Sequence, residues 1–302
     1  MTGMGARDVL LALTVQLLWG LNLVVAKVGV SEIPPLAFTG IRFALVALLV
    51  VPFMRVPLRA VPGLVLLSFT FGTVHFGLMF TGLVDMDAAA AGIVIQLGTP
   101  FTLLLGVLVF KERLGWKRLG GTVLAFSGVM LLAGEPTLPG LTPLLLVTAG
   151  AFGWAVSNVV VKRLPEVNPV AMTGYLSLFA VPQLGLLSWL LEGDQMTRLA
   201  DAGWMGWGAV AYTAIAASIV AHSLWYGLVR RHEMTQVAPF GLLAPVIGIA
   251  TAILLLGEPL TWQKAVGGTL TLIGVAIVQL RTARRRPTPP PDAEPEEAGS
   301  PT

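Results

Sequence analysis

Apolar and polar residues occur in blocks along the chain, so that long apolar runs are separated by short polar loops. Ten runs come close to the roughly 20 residues that a helix needs to cross a bilayer. They cover residues 9–28, 35–54, 63–83, 88–110, 118–133, 141–161, 170–191, 204–228, 239–256 and 264–280. The first run is longer than a typical signal-peptide core and nine more follow it, so we interpret it as a retained helix. The pattern predicts an all-α membrane protein with ten transmembrane helices.

Composition indicates that lipid surrounds most of the chain. Of its 302 residues, 55% are hydrophobic and 12% are charged, and the mean hydropathy is +0.82. A soluble domain carries about 25% charged residues. We expect the net charge of +3 to lie in loops beside anionic headgroups, so it does not indicate a nucleic-acid partner. The absence of cysteine excludes disulfides, thiolate metal sites and cysteine nucleophiles, and we expect no cofactor and no metal.

The basic residues predict the orientation of the helices. If the N-terminus is cytoplasmic, all but four of the 19 Lys and Arg residues lie on the cytoplasmic side, the exceptions being Lys27, Arg42, Arg198 and Lys264. The opposite side collects Glu32, Asp85, Asp87, Glu135, Glu192, Asp194 and Asp201. Cytoplasmic loops are enriched in Lys and Arg, so we expect a multi-pass inner-membrane protein with both termini in the cytoplasm. Residues 282–302 are rich in Pro and Glu and predict a disordered cytoplasmic tail.

The second half of the chain repeats features of the first half. The stretch "KERLGWKRLGGTVLAFSGVMLL" aligns without gaps with "GEPLTWQKAVGGTLTLIGVAIV", which lies 146 positions later. The matching pairs include Trp116 with Trp262, Gly121 with Gly267 and Gly128 with Gly274, and Trp19 matches Trp154 at an offset of 135. We therefore predict two repeats, residues 1–134 with helices 1–5 and residues 135–281 with helices 6–10.

Repeats of five helices have a topological consequence. Because five is an odd number, the two repeats enter the membrane from opposite sides. Inverted repeats of this kind recur in secondary transporters, which bind substrate near the membrane midplane and alternate its exposure. The repeat alone leaves a non-transporting scaffold open as an alternative.

Several motifs resemble those of a known family. The stretches "WGLNLVVAKVG" and "FTGIRF", with the paired "ERLGWKRLGG" and "EPLTWQKAVGG", resemble the EamA branch of the drug/metabolite transporter superfamily up to about Arg281. Within that branch, "WGLNLVVAKVG" and "APFGLLAPVIGIATAILLLGEPLT" are most similar to bacterial exporters of O-acetylserine and cysteine. The resemblance implies an inner-membrane exporter with a ten-helix inverted-repeat fold and no shared catalytic motif.

Polar and aromatic residues inside the spans are the candidates for substrate binding, because such groups are costly in lipid unless they have a function or a partner. The candidates are Trp19, Asn22, Arg42, His75, Gln96, Trp154, Asn158 and His222. Each has a structural alternative: Asn22 can link neighbouring helices, the tryptophans can pack against lipid, and the histidines can donate to backbone carbonyls.

Arg42 and the two histidines are the ionisable candidates, which could bind a charged group or exchange a proton. Arg42 follows Pro35 by seven residues, which places it about 10 Å into the membrane at 1.5 Å per residue. Its guanidinium matches a carboxylate through two parallel hydrogen bonds, although a carbonyl-rich helix end would also satisfy it. His75 and His222 are separated by 147 residues, close to the repeat offset. They can accept a proton near neutral pH or act only as packed donors.

Other residues have expected roles at helix ends and helix contacts. We expect Lys27 and Lys162 to reach the headgroups, and Glu112 and Glu258 to complement the dipoles of the helices that follow them. Pro100 and Pro245 are expected to bend their helices. We expect the repeated glycines to let helices approach closely within each repeat, and a monomer is then sufficient.

The chain offers no acidic residue inside any span, which favours a zwitterion or an anion as substrate. It contains no metalloprotease, hydrolase or phosphate-binding-loop motif, so we do not expect an enzyme. The sequence predicts a secondary transporter that exports small amino-acid-like metabolites. An exporter of other metabolites or drugs, a lipid-modifying membrane enzyme and a scaffold remain the alternatives.

Overall fold

A computed structural model of the chain describes residues 4–111, 115–138, 140–232 and 234–283. Within these ranges the chain is helical and contains no β-strand. Its ten long helices are α1 (Ala6–Glu32), α2 (Pro35–Phe53), α3 (Leu58–Val84), α4 (Ala88–Phe110), α5 (Trp116–Leu132), α6 (Leu141–Arg163), α7 (Pro169–Leu191), α8 (Trp204–Val229), α9 (Pro239–Leu256) and α10 (Trp262–Ala283). A short helix, Gln195–Asp201, lies between α7 and α8.

The helices have the dimensions of membrane spans. Among the residues that the structure describes, nine are both long and apolar enough to cross a bilayer. The tenth, α5, has 17 residues, or about 25 Å at 1.5 Å per residue. The predicted all-α membrane fold with ten helices is confirmed, and the largest boundary difference is at α3, which begins at Leu58 rather than at residue 63. Glu112 and residues 284–302 of the predicted tail lie outside the described residues.

The crossing of α5 and α10 shows how the two repeats are related. Gly121 packs on the backbone of Gly274, and Gly128 packs on the backbone of Gly267, so closely that a Cβ at either contact would overlap a carbonyl oxygen. The repeat alignment makes Gly121 equivalent to Gly267 and Gly128 equivalent to Gly274. Exchanging the repeats therefore exchanges the two contacts, as a two-fold axis between antiparallel helices requires. The two five-helix repeats are inverted, and the close glycine packing lies between them rather than within each repeat.

The remaining helices also pair across the repeats. Helices α2 and α7 pack together, α1 packs against α8 and α9, and α6 packs against α3 and α4. The repeat symmetry relates the packing of α1 on α8 and α9 to the packing of α6 on α3 and α4. Consequently α1 and α6 connect the repeats.

Carboxylates fasten the helices together at one end of the molecule, which we name the acidic end. Glu258 accepts hydrogen bonds from the backbone N–H groups of Ala88 and Ala89, at 2.7 and 2.9 Å, where α4 begins. Glu192 does the same at the start of α2, and Glu32 at the start of α8. An anion is favourable at a helix N-terminus. The prediction for Glu258 is corrected in one respect, because it complements α4 and not the helix that follows it.

Two lysines at the acidic end also bind partners within the protein. Lys27 donates from Nζ to the carbonyl oxygens of Leu83, Val84 and Met86, at 2.8, 2.8 and 3.1 Å, where α3 ends. Lys264 is fully buried and pairs with Asp87. The expectation that Lys27 reaches the headgroups is therefore wrong, because the unpaired carbonyls of a helix end are a nearer and better-oriented partner. Lys162 lies over the ring of Phe110, 4.1 Å from its centroid.

Candidate functional site

Two helices lose regular α geometry at equivalent positions near the centre of the molecule. In α3, Ser68–Gly77 forms a π-helix, and in α8, Tyr212–Val220 does so. When the sequence of α3 is aligned with that of α8 so that His75 matches His222, the two π-helical stretches overlap. We name them the α3 π segment and the α8 π segment. Extended π geometry is rare and often occurs at functional sites.

The partner helices α4 and α9 are irregular as well. Each contains a 3₁₀ segment, Ile95–Leu97 in α4 and Ala238–Leu242 in α9. These segments end just before Pro100 and Pro245, whose rings cannot donate to the helix ladder. Regular α geometry is therefore interrupted at matching places in the two repeats, three residues before each proline.

Arg42 lies between the two π segments. It is 2% exposed, and its Nη2 donates to Oγ of Ser218 in the α8 π segment at 2.8 Å. Its Cζ lies 4.3 Å from the ring centroid of Phe76 in the α3 π segment, with Phe43 and Phe80 at 5.5 and 5.8 Å. The guanidinium is therefore held by one hydroxyl and by aromatic faces, which attract a cation.

The π geometry of α8 orients the hydroxyl that holds Arg42. Ser218 donates to the carbonyl oxygen of Thr213, five residues earlier, at 2.8 Å. Because its proton is used in this bond, its oxygen is left to accept from Arg42. The same spacing recurs at His222, whose Nδ1 lies 3.0 Å from the carbonyl oxygen of Ala217.

Most of the hydrogen-bonding capacity of Arg42 is unused. Within the described part of the chain, its Nε and Nη1 have no hydrogen-bond partner and no carboxylate forms an ion pair with it. A guanidinium has five N–H donors, and the bond to Ser218 uses one. A buried cation without a counter-charge costs several kcal/mol. Arg42 is thus not satisfied by a carbonyl-rich helix end, and its unused donors are of the kind that bind a planar anionic group such as a carboxylate.

Tryptophan and histidine form two symmetric contacts between the repeats. Trp19 in α1 contacts His222 in α8, with 5.2 Å between the ring centroids. Trp154 in α6 contacts His75 in α3, with 5.6 Å between the ring centroids. Trp19 also donates from Nε1 to the carbonyl oxygen of Ala217 at 3.1 Å. Each pair joins one repeat to the other, next to a π segment.

Both imidazoles are bonded to backbone carbonyls. His75 Nδ1 lies 2.9 Å from the carbonyl oxygen of Gly150 in α6, and His222 Nδ1 lies 3.0 Å from the carbonyl oxygen of Ala217 within its own helix, α8. A carbonyl only accepts, so Nδ1 carries the hydrogen in each ring. The alternative that the histidines are packed donors therefore has direct support from the geometry.

The other three candidate residues lie on α1, α4 and α6. Asn22 is half-buried, and its Oδ1 has no partner among the described residues. Asn158 is exposed and donates from Nδ2 to Oγ1 of Thr102 in α4 at 3.0 Å. Gln96 is half-buried in the 3₁₀ segment of α4. The structure thus brings Arg42, His75 and His222 to the π segments, joins Asn158 of α6 to α4, and places Gln96 on the 3₁₀ segment of α4.

Sequence reasoning missed three residues that shape this region. Ser218 holds Arg42, Phe76 covers it, and Gln183 in α7 accepts from Thr73 and donates to Ser68 in the α3 π segment. Ser218 stands four residues before His222, which on a helix indicates a shared face. Gln183 is a polar residue inside an apolar span, next to Pro182. The criterion that selected Gln96 therefore also applies to Gln183.

Comparison with known proteins gives the family. The model of the EamA-like transporter family matches residues 7–134 and, again, residues 141–280. The chain belongs to the EamA-like transporter family. Its two family matches coincide with the two inverted repeats of the fold.

Similar EamA proteins cover nearly the whole chain. A protein of Salmonella typhimurium named a probable amino-acid metabolite efflux pump is 37% identical over 288 residues, 91% of this chain and 95% of the relative. A protein of Escherichia coli K12 with the same name is 35% identical over the same shares. A solved crystal structure with 20% identity and a TM-score of 0.62 covers 93% of this chain and 99% of its own, and so shares the fold.

Proposed function

We propose that this protein is an inner-membrane secondary transporter that exports small amino-acid-like metabolites, O-acetylserine and cysteine relatives among them. The family assignment and the names of the two relatives support export of metabolites. The observation that supports this substrate class is Arg42, a buried cation at the repeat interface that has unused donors and, in the described ranges, no acidic partner.

The donors around Arg42 suit an amino acid better than other small metabolites. A carboxylate on Arg42 would receive charge-assisted hydrogen bonds and neutralise the buried charge. The ammonium group of the same substrate needs acceptors, and Oδ1 of Asn22 is a buried acceptor without a partner. The indole of Trp19 and the ring of Phe76 supply apolar walls. Asn22 and Trp19 therefore keep the substrate-binding roles that the sequence suggested.

The placement of acidic residues argues against lipophilic cations as substrates. Every carboxylate in the described ranges lies at a helix end or in a loop. Several of these carboxylates already accept backbone N–H groups or pair with Lys264. A cation exporter would need a carboxylate inside a membrane-spanning helix, away from its ends, to bind cation and proton in turn. The described interior instead offers a guanidinium, imidazoles, amides and indoles.

Alternating access follows from the position of the site. Arg42 touches both π segments, one from each repeat, so relative motion of residues 1–134 and 135–281 changes its surroundings. Irregular helix segments at the interface of inverted repeats are the usual location of a transported substrate. We propose that rocking between the repeats moves the Arg42 site from the cytoplasmic to the external side.

The decisive experiment replaces Arg42 and measures export from cells or proteoliposomes loaded with labelled amino acids. We expect Arg42→Lys to lower export by about a hundredfold, because the charge remains but the two parallel hydrogen bonds are lost. Arg59→Lys is the control, because Arg59 is exposed at the start of α3. Normal export by Arg42→Gln at normal protein levels would show that Arg42 does not bind substrate.

We further propose that both termini and the basic loops are cytoplasmic, so that the acidic end is external. Reporter fusions after residues 55 and 281 should then read as cytoplasmic, and a fusion after residue 135 as external. An external signal after residue 281 combined with a cytoplasmic signal after residue 55 contradicts this orientation.

A further inference from the structure

Gln16, in the first half of α1, is fully buried, and its side-chain amide has no hydrogen-bond partner in the described part of the chain. Its relative exposure is 0%. Among the residues that the structure describes, neither Nε2 nor Oε1 has a partner. Buried amides are almost always paired, because an unpaired donor and acceptor away from water are unfavourable. A residue whose only role was to join helices would be bonded to one of them.

The position of Gln16 relates it to the Arg42 site. Gln16 precedes Trp19 by three residues, so their side chains lie on neighbouring parts of one helix face. Trp19 donates to the carbonyl oxygen of Ala217, and the next residue, Ser218, holds Arg42. Gln16 therefore lies one helical turn from Trp19, in the direction away from the acidic end where α1 finishes.

We infer that Gln16 forms a second subsite, which binds the side chain of the amino acid whose carboxylate lies on Arg42. This inference rests on the proposed function. A carboxamide offers one acceptor and two donors in a plane. Its complement is an uncharged carbonyl-containing side chain: an ester accepts from Nε2, and a primary amide also donates to Oε1. The subsite selects short amino acids with an ester or amide side chain over apolar ones of equal length.

The test compares two substrates of similar length, glutamine and methionine, in proteoliposomes with the full-length protein. The wild type should transport glutamine with the higher kcat/KM. In Gln16→Met, which keeps the unbranched shape, the glutamine-to-methionine ratio of kcat/KM should fall about tenfold, as expected when one buried polar contact is lost. O-acetylserine should lose transport in the same variant, because its ester carbonyl needs the Nε2 donor.

Protein stability separates a binding role from a structural role. Replacing an unpaired buried amide by an apolar side chain should leave the thermal stability of the substrate-free protein unchanged or higher. Gln16→Leu provides a second apolar variant if Gln16→Met accumulates poorly. Thr14→Val is the matched control on α1, because Thr14 is half-buried and its hydroxyl already donates to the carbonyl oxygen of Leu10 within its own helix; it should keep the wild-type ratio.

Two results would overturn the inference. Unchanged substrate ratios in both Gln16 variants, with lowered stability, would make Gln16 a structural residue while leaving the proposed function intact. If the wild type transports neither these amino acids nor O-acetylserine, the proposed function fails together with the subsite. The wild-type measurement therefore distinguishes the two failures.

Discussion

The α3 and α8 π segments occupy equivalent places in the two repeats but have different partners. In the α3 π segment, Thr73 donates to Gln183 at 2.8 Å, Gln183 donates back to Ser68 at 2.8 Å, and His75 bonds to Gly150. These bonds connect α3 to α6 and α7, and each polar group has a partner. In the α8 π segment, Ser218 instead holds Arg42, whose Nε and Nη1 have no hydrogen-bond partner within the described ranges.

The comparison shows that an irregular helix is not by itself a binding site. In α3, the polar groups of the π segment are hydrogen-bonded to neighbouring helices. In α8, the same helix geometry presents Ser218 to Arg42 of α2, a cation with unused donors. The difference comes from α2 and α7, the pair of helices that face the segments: α2 contributes Arg42, and α7 contributes Gln183. Substrate chemistry is therefore expected on the α8 side, and mechanical connection on the α3 side.

The largest effect that tests this asymmetry is expected from Ser218→Ala. The change removes the one described hydrogen-bond acceptor of the Arg42 guanidinium, and hydrogen bonds to charged groups contribute about 1.5–3 kcal/mol. We expect the KM for export to rise at least about tenfold, because the guanidinium is no longer oriented. Ser218→Thr, which keeps the hydroxyl, should restore much of the affinity.

A similar change in the other segment should affect stability more than transport. Thr73→Val removes a hydroxyl that donates to Oε1 of Gln183 and leaves that half-buried acceptor without this bond, at a cost of about 1 kcal/mol. We expect a lower unfolding free energy, measured in detergent, and an unchanged KM per folded molecule. A KM increase as large as that of Ser218→Ala would remove the distinction between the two segments.

The smallest effect is expected at the two histidines. His75→Leu breaks a bond between α3 and α6, so the unfolding free energy should fall by about 1 kcal/mol. His222→Leu should cost less, because the carbonyl of Ala217 still accepts from Nε1 of Trp19. Thermal unfolding of the two variants at equal protein levels measures the difference. Equal losses of unfolding free energy would mean that the bond from His75 to Gly150, which joins the repeats, stabilises the protein no more than the bond from His222 to Ala217 within α8.

The sequence by itself determined the fold class and the repeat. Long apolar runs can be solvated only by lipid, and backbone groups in lipid must be satisfied within each segment, so the runs form helices. The alignment of Gly121 with Gly267 and of Gly128 with Gly274, together with the odd number of helices, determined the inversion. Arg42 and the two histidines were found because ionisable groups in lipid are conspicuous.

The tertiary structure decided which groups meet. Lys27 and Glu258 were expected at the membrane interface, but each is engaged by the end of a different helix. Ser218 and Gln16 are ordinary residues in the sequence. Only the packing shows that Ser218 holds Arg42 and that the Gln16 side chain is buried with no hydrogen-bond partner among the residues the structure describes. Helical periodicity gives the face of a residue but not the helix opposite it. The choice of partner depends on how ten similar apolar helices pack, and that packing is decided by close contacts such as the glycine crossing of α5 and α10.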